Sequence, residues 1–156
     1  MRLTVIAVGE NKVNYLSEGE ADYLKRLAHY CKVEIHCVKD EKVKGGRSPE
    51  RIRESEGDRL MRQIPKSGTV VALDHHGRIF SSEQLARQIA TWQNRGIHQA
   101  VFLIGGPLGL SDDVLSRADL VLSLSKMTYT HEMVRLILLE QLYRSYTILR
   151  GEKYHK

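Results

Sequence analysis

The chain has little cysteine, little proline and no long apolar run, and each shortage closes off a class of protein. Its 156 residues include two cysteines, Cys31 and Cys37. Two thiols cannot build the disulfide framework of a small secreted domain, and no zinc-ligand company surrounds them. They read as small core residues in a reducing compartment. Three prolines and 42% apolar residues give no basis for wholesale disorder. No stretch approaches the ~20 apolar residues of a membrane span. The opening Met1–Gly9 run is too short for a secretory signal and lacks a cleavage site. The expectation is a cytoplasmic chain forming one domain over residues 1–156.

Several catalytic signatures are missing too. There is no GxGxxG dinucleotide fingerprint and no Gly-Lys-Ser/Thr phosphate loop. There is no GxSxG elbow, so nucleophilic hydrolysis has no support. His75 and His76 are adjacent and on a strand would face opposite ways, while His29, His36 and His98 lie in unrelated elements. No metal is expected.

What is present is a mild basic excess and an alternation of elements. Lys and Arg number 24 against 19 Asp and Glu, a net charge of +5 that favours a polyanion such as RNA. Apolar, β-branched runs at Leu3–Val8, Val33–Val38, Thr69–Leu73, Ala100–Ile104 and Leu120–Leu122 predict five strands. Helical spacing predicts helices over Tyr15–Tyr30, from the Ser48 cap to Ile64, and from a Ser82 cap to Gly96. A short helix follows Ser111, and a last one spans His131–Thr147. Asp74–Gly77 reads as a polar turn. The pattern implies an α/β fold, a mostly parallel sheet with helices on both faces.

Apolar residues wrap most of the last helix, so one face is expected to meet a second subunit; a fully internal helix is the alternative. In parallel sheets ligands gather at the carboxyl ends of strands. Three such ends stand out: Leu73-Asp74, the loop Gly105-Gly106-Pro107-Leu108-Gly109, and Ser123–Thr130. Paired glycines permit close backbone approach to a flat ligand, although a tight strand-to-helix turn needs them equally. At the C-terminus, Tyr154-His155-Lys156 combines an aromatic ring, a titratable group and a cation, a set that can stack on a base. Frayed termini with no role are equally common.

In combination these segments identify a likeness. Ile104–Leu110, Ser123–Thr128, His131 with Arg135, Glu140-Gln141-Leu142-Tyr143-Arg144, Gly151 and Tyr154-His155-Lys156 together resemble the RlmH (YbeA-like) ribosomal RNA methyltransferases of the SPOUT superfamily. The likeness spans the whole chain; Thr130 departs from it, standing where many members carry proline. It implies a C-terminal trefoil knot, which general topology rules would argue against. It also implies S-adenosyl-L-methionine as cofactor, a homodimer, and methylation of N3 of a pseudouridine in 23S rRNA of the assembled ribosome. Carried over by position, cofactor contacts fall on Leu73, Gly105, Leu124, Ser125, Lys126, Met127, Thr128 and Tyr129.

Beside that likeness, His155 with Tyr154 is expected to contact the target base, and Arg135 or Arg144 to anchor rRNA phosphate or the cofactor carboxylate. Lys42, Lys44 and Arg47, followed by Arg51 and Arg53, form the most basic stretch and are expected to lean on rRNA backbone. A solvated loop would look the same. A rival from another class is a non-catalytic, RNA-binding ribosome assembly factor of this fold. A nicotinamide enzyme is weakened by the missing fingerprint.

Overall fold

The computed structural model describes residues 1–42 and 46–154. Five strands, β1 (Arg2–Val8), β2 (Lys32–Val38), β3 (Thr69–Ile79), β4 (Gln99–Ile104) and β5 (Leu120–Ser123), pair only in parallel, in the order β2-β1-β4-β3-β5. Strand alternation splits the core into two layers. Leu3, Val5 and Ala7 of β1 and Ala100, Phe102 and Ile104 of β4 point one way. They meet Leu27 of α1 (Asn14–Leu27), Ile89 of α3 (Ser82–Asn94) and Leu138, Leu139 and Leu142 of α5 (His131–Leu149). Ile6, Val8, Val101 and Leu103 point the other way, onto Leu60 of α2 (Pro49–Gln63) and Val114 of α4 (Asp112–Arg117). Helices therefore cover both faces, which is why β1 and β4 are nearly unbroken apolar runs.

Hydroxyl caps set most helix starts. Ser48 accepts the Arg51 N–H at 3.4 Å, with Pro49 opening α2, and Ser111 accepts the Val114 N–H at 3.4 Å. Thr130 accepts the Met133 N–H at 3.3 Å, so the threonine found in place of proline serves as the N-cap of α5. For α3 the cap is Ser81, one residue earlier than expected. Gln84 returns its side chain to the Ser81 N–H, completing a capping box that Ser82 could not make. Ser82 instead donates to Gln141 Oε1 at 2.7 Å, joining α3 to α5.

Three further expectations change. The first helix stops at Leu27, three residues short of Tyr30, and its start at Val13 has no side-chain cap. Cys37 is exposed and Cys31 half-buried, because β2 is an edge strand with a wetter face. Asp74–Gly77 is not a turn but lies inside β3, where the pairing to β5 jumps from Leu73↔Leu122 to Arg78↔Leu122. Glycine makes this bulge possible. A Cβ on Gly77 would lie 2.7 Å from the carbonyl carbon of Leu122, so only glycine lets the segment lie this close to β5.

Helix α5 is not fully internal in this chain. Leu138, Leu139 and Leu142 are sealed, while Met133, Ile137 and Ile148 are half-buried and Leu149 is exposed.

Candidate active site

The three strand ends expected to matter converge. The ends of β3, β4 and β5 and the first turn of α5 enclose a cavity of about 620 Å³, within the ~300–1,000 Å³ of small-molecule sites. Leu73, Ile104, Leu122, Leu124, Met127 and Val134 give it apolar walls, and Gly105, Gly106 and Gly109 present bare backbone.

The glycine loop is fixed by its own close contacts. A Cβ on Gly105 would lie 2.6 Å from the carbonyl carbon of Gly109, and Gly109 itself has φ +84°. The Gly109 N–H donates to the Gly106 carbonyl at 3.0 Å, closing the turn. Across the loop, Ser123 donates to the Ser125 carbonyl at 2.8 Å, and Ser125 Oγ accepts the Met127 N–H at 2.9 Å. Two serines thus shape the segment that carries Met127, Thr128 and Tyr129 along the rim. Met127 is 67% exposed there, an unsatisfied apolar side chain at the cavity mouth.

Of the residues expected to hold a cofactor, Leu73, Gly105, Leu124, Ser125, Met127, Thr128 and Tyr129 line this cavity. Lys126 does not; it is exposed beyond the rim, between two residues that do. Sequence reasoning placed Asp74 at a strand end expected to hold a ligand but missed His75, Glu132 and Val134 as lining groups. The β3 bulge, which has no local sequence signal, brings in His75, and the first turn of α5 brings in Glu132 and Val134. The bulge also corrects the geometry expected of the two histidines. His75 Nδ1 and His76 Nδ1 lie 3.7 and 3.3 Å from Asp74 Oδ1, with ring centroids 3.6 Å apart, because strand alternation fails there.

The other expected residues sit elsewhere. Arg135 is 2% exposed and absent from the cavity wall. Its Nη2 donates to the Gly9 carbonyl at 2.8 Å, and its Nε lies 3.8 Å from Glu20 Oε1. Glu20 also accepts from Asn11 at 2.7 Å. Arg135 therefore pins α5 to the end of β1 and to α1 and does not line the cavity. Arg135 lies one turn beyond His131 and faces inward, while His131 lines the cavity.

Tyr154 lies at the other end of α5. Its hydroxyl donates to Glu140 Oε1 at 3.2 Å and sits 3.3 Å from the Tyr23 hydroxyl. Burial, then the Tyr23 contact and Glu140, push this phenol well above its usual range. Glu140 is six residues beyond Val134, the last α5 residue lining the cavity, about 9 Å along the helix, and Tyr154 is not among the lining residues. Arg144 Nε donates to Glu140 Oε1 at 3.0 Å, and its guanidinium stacks 4.7 Å from the Tyr154 ring centroid. Lys42 is exposed, while Arg47 pairs with Glu41 at 3.1 Å. Arg53 stands 3.7 Å from Glu50 and Arg51 is exposed. Lys44 and His155 lie outside the described residues.

One further group was not legible in the sequence. Glu56 is 2% exposed beneath the glycine loop. Its Oε1 accepts the Glu41 N–H at 2.9 Å, its Oε2 has no partner, and a Cβ on Gly106 would touch Oε2 at 2.9 Å. Burial raises the carboxyl pKa.

No described helix is long and apolar enough to cross a membrane. Residues 1–155 match the family model described as "Predicted SPOUT methyltransferase". A Desulfotalea psychrophila protein named ribosomal RNA large subunit methyltransferase H is 51% identical over 156 residues, covering all of both chains. One of the same name from Halothermothrix orenii is 45% identical over 159 residues, again covering both completely. Among solved structures, a probable methylase family protein from Haemophilus influenzae superposes with TM-score 0.54 at 12% identity. It covers 99% of this chain and 70% of that one, a likeness of fold alone. With a five-strand parallel sheet, a cavity at its strand ends and a family match over nearly its whole length, the chain belongs to the SPOUT methyltransferases.

Proposed function

We propose that the protein methylates N3 of a pseudouridine in 23S rRNA of the assembled ribosome, using S-adenosyl-L-methionine, in the cytoplasm and as a homodimer. The observation that carries this reading is the cavity at the ends of β3, β4 and β5, lined by seven of the eight residues that the likeness assigns to the cofactor. The relatives' printed name supplies ribosomal RNA as the substrate class.

The residues present fit that cofactor. Adenine is flat with apolar faces, and Leu73, Leu124 and Met127 offer side chains to sandwich it. The bare backbone at Gly105 and Gly106 suits its polar edge, because no Cβ stands off the ring. When bound, S-adenosyl-L-methionine supplies an electrophilic methyl group. The chain's task is to hold the accepting nitrogen in line with it, and alignment of this kind is worth several kcal/mol, with ~7–11 the upper range. N3 also carries a proton that must leave, so a basic or cationic group beside the base lowers the barrier. We assign that role to the tail, with His155 at the base and Tyr154 packing beside it.

Two features support a homodimer. Tyr154 is bonded to Glu140, about 9 Å along α5 from Val134, the last α5 residue lining the chain's own cavity, and we take a tail acting on a base to serve a neighbouring subunit's cavity. Met133, Ile137 and Leu149 leave apolar surface on α5 for that neighbour. The threaded C-terminal knot belongs to the same reading, because α5 follows directly on the Leu124–Thr130 rim.

Mass spectrometry of rRNA from a strain lacking the protein tests the function. One methyl group on one 23S pseudouridine should disappear and return on complementation. Unchanged 23S rRNA, with S-adenosyl-L-methionine giving no heat on titration into the protein, would favour the non-catalytic assembly factor.

A further inference from the structure

Several arginines of this chain are neutralised by a neighbour. Arg26 pairs with Asp22, Arg47 and Arg59 with Glu41, Arg135 with Glu20 and Arg144 with Glu140. Two that are not share one cleft. Arg78 and Arg95 line a second cavity of about 420 Å³, together with Thr69, Gln88 and Asp119. Neither guanidinium forms an ion pair among the described residues. Arg78 rests 5.2 Å from the Phe80 ring centroid, which orients it without cancelling its charge. The one carboxylate in the cleft is committed, since Asp119 Oδ2 accepts the Val70 N–H at 2.8 Å and faces Thr69 Oγ1 at 3.5 Å. The cleft is thus lined by two arginines against one carboxylate that already accepts through Oδ2, with the Gln88 amide as a further donor.

The cleft is tied to the first cavity by the bulged segment of β3. Asp74 and His75 line the first cavity, and Arg78, three residues on from His75, lines the second. Along β5, Leu120 borders the second and Ser123 the first, a separation of about 10 Å. Gly77 holds the connecting segment flat on β5. The backbone that carries Arg78 is therefore set beside the first cavity.

We propose that the Arg78–Arg95 cleft is a phosphodiester-binding subsite that grips the RNA backbone beside the nucleotide being methylated. This rests on the reading of RNA as substrate. Guanidinium forks match phosphate oxygens, and backbone contacts of this kind position a substrate without reading its sequence.

The test is the double variant R78Q/R95Q, which keeps much of the stem of both side chains. RNA affinity is measured by anisotropy on a labelled 23S fragment, from low to physiological salt. The wild type should bind with a steep salt dependence. The variant should bind on the order of tenfold more weakly, and its salt slope should fall by about 1.5 for two lost phosphate contacts. The heat of S-adenosyl-L-methionine binding and the melting temperature should not change. A variant matching the wild type in affinity and slope overturns the proposal. Inorganic phosphate, beyond chloride of equal ionic strength, should compete with RNA for the wild type and not for the variant. If the wild type binds neither the fragment nor the ribosome while still binding S-adenosyl-L-methionine, the RNA reading itself fails, and the subsite with it.

Discussion

Replacing Arg135 separates a structural role from a chemical one, because the two make opposite demands. The side chain is 2% exposed, donates to the Gly9 carbonyl at 2.8 Å and stands 3.8 Å from Glu20. Arg135→Met keeps much of the volume but strands Glu20, whose side chain is only 10% exposed. Breaking a buried pair from one side costs about 3–5 kcal/mol. Asn11 still donates to Glu20, so the low end, about 3 kcal/mol, is expected. For a domain of this size that is a fall in Tm of roughly 6–12 °C. Adding Glu20→Gln to Arg135→Met should recover part of the loss, since no uncompensated carboxylate then remains. Differential scanning calorimetry reads both. A single variant that melts like the wild type yet fails to methylate RNA would refute the structural assignment and return Arg135 to the chemistry.

The glycine loop gives a second expectation. In Gly105→Ala the new methyl meets Gly109 backbone at 2.6 Å, so the loop must open. Strain of about 1–3 kcal/mol should weaken S-adenosyl-L-methionine roughly ten- to a hundredfold by calorimetry, and an unchanged affinity would contradict the site. Glu56→Gln should stabilise the protein by about 1 kcal/mol at pH 7. Burial raises the carboxyl pKa, so the contribution of Glu56 to stability in the wild type is fully present below its unfolded pKa and is lost as pH rises through the raised folded one. Denaturant melts across pH 4–8 should show this fall in the wild type and a flatter profile in the variant. Deleting Tyr154–Lys156 should abolish turnover while leaving the dimer and cofactor affinity intact; wild-type turnover would exclude the tail from the reaction.

The parts of the fold that follow from periodicity were legible in the sequence. Continuous apolar strands such as Ala100–Ile104 and amphipathic helices such as α3 follow from alternation and 3.6-residue spacing. The cap at Ser81 was displaced by one residue because Ser81 and Ser82 are both competent hydroxyls, and only Gln84 decides between them. The β3 bulge was not legible. Asp74-His75-His76-Gly77 has turn composition, and it is pairing with β5, a contact across some fifty residues, that keeps it extended.

Within the site, the glycine loop and the Leu124–Tyr129 rim were found because strand ends and the family likeness point to the same residues. The burial of Arg135 was not legible because helical spacing gives a residue's face but not what that face packs against. Its partners, Gly9 and Glu20, come from the end of β1 and from α1. Glu56 was invisible for the same reason, since a glutamate in a polar helix reads as solvated until its neighbours, the Glu41 N–H and the Gly106 loop, are known.

The most direct measurement is a crystal structure of the protein grown with S-adenosyl-L-methionine. Density for the nucleoside should lie between Leu73 and the Leu124–Tyr129 rim, with its base edge on the Gly105 backbone and the sulfonium open to solvent at the mouth. Density in any other cavity, or none at saturating concentration, would contradict the account.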